Sequence, residues 1–175
     1  MKKLFYPLAA IAIIGASAFT IVAVPSWKIS DDYEVKFSSK DPNGVFKGLK
    51  GNISFDEKDL KNSVMDVSID VSTINTGNGM QNTHAKGEQW FDAAKYPTIK
   101  FTSSEITKAA TGYLVKGVLE MRGVRKEIEV PFTFEQNKFS GSFEVNRNEF
   151  GIGDPKHEKV QPAIKIDLSV PVSKA

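Results

Sequence analysis

The sequence predicts an all-β protein: a single antiparallel β-barrel of about eight strands with a short helical lid, preceded by an N-terminal apolar helix. Three observations carry this expectation. Apolar and polar residues alternate with a period of two in run after run, as half-buried strands require. Turn signals at short spacing separate the runs, and no low-complexity segment, helical repeat or linker interrupts residues 27–175. One excursion, Met80 to Glu88, loses the alternation and reads as a short helix or structured loop set onto the sheet. A barrel fits better than a sandwich, because roughly eight strands can enclose side chains or one small ligand and closure removes exposed edges.

At the N-terminus, Lys2 and Lys3 precede an uncharged apolar run from Leu4 to Val24. Ala16-Ser17-Ala18 is a cleavage candidate, so residues 1–24 are expected to be a signal peptide. The run is also long enough, at roughly 20 residues, to remain as a membrane anchor, and the cleaved signal is the favoured of the two. Either way the domain, residues 27–175, is expected outside the cytoplasm. Removing Lys2 and Lys3 from the 23 basic residues leaves 21, matching the 21 acidic ones. A neutral domain without a basic stripe excludes nucleic acid as a partner. With no cysteine in the chain, disulfides, thiolate nucleophiles and zinc-thiolate sites are excluded too.

Trp27 begins the domain, and Tyr33, Val35 and Phe37 alternate as a first strand. Val45 to Phe55 follows with Gly48 and Gly51 inside it; glycines inside a strand mark the bends that let a sheet close. The central strand alternates strictly through Met65, Val67, Ile69 and Val71, then stops at Asn75-Thr76-Gly77-Asn78-Gly79. After the excursion, Trp90-Phe91-Asp92 forms an aromatic plug, and Ile99 to Ile106 returns as a strand. Tyr113 to Met121 turns at Arg122-Gly123 into Ile128, Val130, Phe132 and Phe134. Pro131 lies within that run; lacking an N–H, it predicts an edge or bulge. Phe139 to Arg147 and Ile164 to Val172 complete the set.

Catalysis finds no support in these residues. His84 and His157 are not in metal-ligand spacing, and neither a nucleophile elbow nor a phosphate-binding glycine turn occurs. No catalytic or metal-binding residue and no cofactor is therefore expected. His84 is read as a hydrogen-bonding surface group first, a ligand contact second and an acid/base last. The inward parity assigns Phe37, Leu49, Ile53, Met65, Val67, Ile69, Val71, Ile99, Phe101, Val115, Leu119, Phe132, Phe134, Phe143, Val145, Ile166, Leu168 and Val170 to the interior. Such an interior is either a filled core or the wall of an apolar pocket, and alternation fits both. Met80, His84, Trp90 and Phe91 are candidates for the mouth, with Asn75 and Thr76 as weaker polar ones. Arg147 continues the inward parity of Phe143 and Val145, and a buried arginine needs a partner: a neighbouring Asp or Glu, or a ligand headgroup.

The order Thr76-Gly77-Asn78, a nearby His84, then Phe91-Asp92-Ala93 and Lys95-Tyr96-Pro97-Thr98-Ile99 resembles the YceI-like family of lipocalin-like, polyisoprenoid-binding periplasmic proteins. Gly117 to Val124 and Phe143 to Gly153 match further along, so the resemblance runs from about Trp27 to Val172. It implies a lipocalin-like barrel in the periplasm that binds, stores or transports a hydrophobic isoprenoid-like lipid, of polyprenol or quinone type, without making or breaking bonds. The alternative is a stress-associated interaction module whose barrel is packed and ligand-free. On the carrier reading Phe37, Leu49, Met65, Val67, Ile69, Val71, Phe101, Leu119, Phe132, Phe134, Phe143, Ile166 and Leu168 touch the chain of the lipid. His84, Trp90, Phe91 and Arg147 lie toward its mouth. The partners expected are then a hydrophobic small molecule and, through the N-terminal segment, a membrane, with a homodimer left open. The family's Trp-x-Ile-Asp opening and following His-Ser pair are replaced here by Trp27-Lys28-Ile29-Ser30 and Tyr33-Glu34-Val35, so no contact of that pair carries over.

Overall fold

The computed structural model describes residues 24–156 and 160–175. The expected leader, apart from Val24, and His157 lie outside them. Ten strand segments form one antiparallel sheet: β1 (Ser26–Ile29), β2 (Glu34–Ser38), β3 (Gly44–Phe46), β4 (Lys50–Ser54), β5 (Val64–Asp70), β6 (Thr98–Lys108), β7 (Tyr113–Met121), β8 (Val124–Glu135), β9 (Lys138–Asn146) and β10 (Ala163–Lys174). Both β1 and β2 pair with the same edge of β10, at Trp27↔Lys174 to Ile29↔Val172 and at Glu34↔Ser169 to Ser38↔Lys165. They are one wall strand interrupted in the middle. β3 and β4 repeat the pattern, β3 on β2 and β4 on both β1 and β5. The ten segments are thus the eight strands of a closed barrel.

Gly51 shows why the second wall strand can bend. Its φ is +141°, and a Cβ there would come 2.1 Å from the Asp66 carbonyl oxygen, so no larger residue fits against β5. Within the break, the Leu49 N–H donates to the Tyr33 hydroxyl at 2.9 Å, which keeps its polar backbone satisfied.

One end of the barrel is filled. Phe55, 1% exposed, has its ring 5.1–5.6 Å from those of Tyr113, Phe132, Phe134 and Phe139 in edge-on contacts. Trp27 covers this cluster, 5.1 Å from Phe134, and donates its indole N–H to the Phe55 carbonyl at 2.9 Å. The opposite end carries the lid. Helix α1 (Gly79–Lys86) follows the Thr76-Gly77-Asn78 turn, and the Asn78 side chain caps it by accepting from the N–H groups of Met80 and Gln81 at 2.9 and 3.1 Å. Asn82 ties the helix back, accepting from both the N–H and the hydroxyl of Thr76 at 2.8 Å.

Candidate functional site: a hollow half-barrel with a polar mouth

Between the aromatic plug and the lid the barrel encloses a cavity of about 1060 Å³. The packed-shut alternative therefore holds only for the plugged end. The walls are the inward faces of the strands, and apolar side chains dominate. Polar groups gather at the lid end: Thr76, Gln81, Thr83 and His84 around α1, Glu88 and Gln89 after it, and Arg147 and Asp154 across the mouth. An apolar chamber with a polar rim suits an amphiphile whose chain lies inside and whose head faces the lid.

Arg147 organises the rim. It lies in a 3₁₀ turn, Arg147–Phe150, directly after β9, and is 3% exposed. The expected carboxylate partner is absent among the described residues. Instead the guanidinium donates to four backbone carbonyls: Gln161 from Nε at 3.1 Å, Ile152 from Nη1 at 2.7 Å, and Asp154 and Val160 from Nη2 at 3.1 and 2.9 Å. One side chain thus holds both stems of the loop between this 3₁₀ turn and β10. Burial presses its pKa below the ordinary value, and the charge of Asp154 partly opposes this. Arg147 also lies over Trp90, and Trp90 packs on Gly153 so closely that a Cβ at that glycine would come 2.7 Å from the ring.

Of the residues expected to touch ligand, Phe37, Leu49, Met65, Val67, Ile69, His84, Trp90, Phe91, Phe101, Leu119, Phe132, Phe143, Arg147, Ile166 and Leu168 line the cavity. Val71 does not. The strand ends at Asp70, whose carboxylate accepts from the Ser72 N–H at 2.8 Å and starts a 3₁₀ turn, so Val71 leaves the wall and is buried outside the chamber. Phe134 does not either: it lies on the Trp27 side of the plug, 5.1 Å from that ring and 4.5 Å from Phe139. Two mouth candidates also move: α1 turns Met80 outward, 72% exposed, and Asn75 is held in a backbone bridge to Val45.

A model of the YceI-like domain matches residues 14–172. The chain belongs to the YceI-like family. Among curated relatives, a UPF0312 protein of Photorhabdus laumondii is 33% identical over 85 residues, 49% of this chain and 44% of the relative. One of Yersinia enterocolitica is 31% identical over 111 residues, 60% of this chain and 58% of the relative. The chain thus spans about half the length of the curated relatives it matches. Among solved structures, Burkholderia cenocepacia BcnA superposes with a TM-score of 0.78 at 27% identity, covering 84% of this chain and all (100%) of its own. A polyisoprenoid binding domain from Saccharophagus degradans, implicated in plant cell wall breakdown, has the same fold with a TM-score of 0.61 at 16% identity, over 88% of this chain and 100% of its own.

Sequence reasoning also missed residues of the site. Val35, Ile128 and Met121 line the cavity and share the parity of neighbours that were assigned there, so that signal was present. Ile152 and Val160 line it from the loop that Arg147 holds, where no periodicity marks an inward side.

Proposed function

We propose that this protein is a non-enzymatic carrier, working outside the cytoplasm, that binds a hydrophobic isoprenoid-like lipid of polyprenol or quinone type in its barrel. The cavity of about 1060 Å³ carries the reading. It lies at the upper end of the size range of small-molecule sites, and its walls offer apolar contact along its depth. Each buried CH₂ contributes about 0.8 kcal/mol, so a long chain gains affinity from length alone without a reactive group. The name of the Saccharophagus degradans domain with this fold, a polyisoprenoid binding domain, supports the same ligand class. In this reading the polar rim orients the head of the lipid, and the apolar leader directs the domain to the compartment where membrane lipids must be carried through water.

Native mass spectrometry of the exported protein, purified without detergent, tests the proposal. The expected result is an added mass that vanishes on denaturation and passes into an organic extract. A bare-chain mass that persists after incubation with quinones and polyprenols would overturn it.

A further inference from the structure

The barrel wall is not paired all the way round. The β8–β9 ladder runs from Glu135↔Lys138 to Phe132↔Gly141 and stops there. Yet β8 continues along β7 to Val124, and β9 continues along β10 to Asn146. Over residues 124–131 and 142–146 the two strands face each other without backbone pairing, and a seam opens from the plugged end toward the mouth.

The residues along the seam explain why it does not zip. Gln136 and Asn137 join the strands with φ of 51° and 57°, the two-residue turn that makes Glu135↔Lys138 a hydrogen-bonded pair. Alternation from there points the backbone of residue 131 at β9, and Pro131 has no N–H to give. Carrying the same register onward would set Glu129 opposite Glu144 on the outer face and Lys126 opposite Arg147 on the inner one. Like charges directly opposite oppose pairing. The first rung lacks its donor, and later rungs repel.

The seam opens onto the cavity. Ile128 and Val130 on β8 and Phe143 and Val145 on β9 all line it. Side chains alone close the seam near the mouth: Lys126 Nζ lies 3.7 Å from the Glu149 carboxylate, and Arg122 donates to the carbonyls of Gly151 and Glu88 at 2.7 and 2.9 Å. An exposed ion pair of this kind is weak and reversible, unlike a ladder.

We infer that the seam between β8 and β9 is a lateral portal for the chain of the bound lipid, with Lys126–Glu149 as its latch. The inference rests on the carrier reading. A chain that leaves sideways stays against Ile128 and Phe143 throughout, whereas exit at the mouth drags it past the polar rim.

The chain has no cysteine, so Glu129→Cys with Glu144→Cys places two outward thiols across the seam, at positions that do not line the cavity. Retinol, a fluorescent isoprenoid alcohol that accepts energy from Trp90, is loaded and its release into phosphatidylcholine vesicles followed by stopped flow. Cross-linking the thiols with a short bis-maleimide should slow release by about tenfold or more, because altered escape appears in koff. Lys126→Glu in the native background should speed release by about threefold, and adding Glu149→Lys should restore it. A change of less than about twofold on cross-linking, with retinol bound, overturns the portal and leaves the mouth as the exit. Failure of the unmodified protein to take up retinol, polyprenol or quinone overturns the carrier reading and the portal with it.

Discussion

The guanidinium carbon of Arg147 sits 5.6 Å from the centroid of the Trp90 ring, and the same ring packs so close to Gly153 that a Cβ there would come 2.7 Å from it. Trp90 comes from the lid segment, Arg147 from the end of β9, and Gly153 from the loop that Arg147 holds by its carbonyls. The lid segment and a stretch far along the chain, from Arg147 to Gly153, therefore meet at one aromatic ring on the rim of the cavity. A cation over an indole face is favourable within about 6 Å, more so where water is excluded. The lid segment and the loop are coupled through this contact.

Arg147→Met should then cost about 3 kcal/mol or more, since hydrogen bonds from a charged group are lost and four carbonyls must find new partners. Arg147→Lys should recover little of it, because an ammonium has no planar fork to reach carbonyls on both stems of the loop. Urea unfolding of the three proteins measures this. If the lysine variant matched wild type, charge alone and not the fork would be what holds the loop.

Gly153→Ala tests the other side of the ring. The position has φ +69°, and the new Cβ would meet Trp90 at 2.7 Å. A left-handed φ and a clash should together cost about 1–3 kcal/mol. The tryptophan emission should shift as the Trp90 ring is displaced, while Trp27 stays buried in the plug. Unchanged emission and stability would mean that the loop yields freely at this point.

Why the barrel could be read from the chain, and parts of the site could not, follows from what each feature depends on. Met65, Val67 and Ile69 alternate because one face of β5 meets the cavity, so their parity is written in their own residue types. Val71 keeps the parity but not the place, because a side-chain cap from Asp70 ended the strand one residue earlier. Arg147 points inward as its spacing requires, yet its partners are main-chain carbonyls, which no residue type announces. Pro131 signals a break in pairing; which neighbour it fails to pair with is settled by the Gln136-Asn137 turn. The hollow itself is invisible to alternation, since a filled core and a lined chamber use the same apolar residues.

The filled and hollow halves should respond differently to mutation. Phe55→Ala removes a ring in contact with four others at the plug and should cost about 3–5 kcal/mol. Leu119→Trp adds volume on the cavity wall instead of in a packed core and should cost less than about 1 kcal/mol. It should also weaken a long-chain polyprenol more than a short one, because the volume it takes is ligand volume. Unfolding curves and a chain-length series of binding measurements check both halves, and equal binding losses across the series would argue against a chain lying along the cavity.

Tyr113 gives the fold a dependence on alkaline pH. Burial in the plug is the largest influence on its phenol, and with the hydrogen bond to Glu57 it raises the pKa above the ordinary 10.0; the hydrogen bond from Lys108 opposes the shift. A raised pKa means that the folded state holds the proton more tightly than the unfolded chain. Its stabilising contribution is fully present below pH 10.0, the unfolded value, and is lost as pH rises through the higher folded value. Melting temperatures of wild type should therefore fall above pH 10.0 more steeply than those of Tyr113→Phe, which has no proton to lose. Parallel curves for the two proteins would show that the alkaline loss comes from the lysines on the surface and not from the plug.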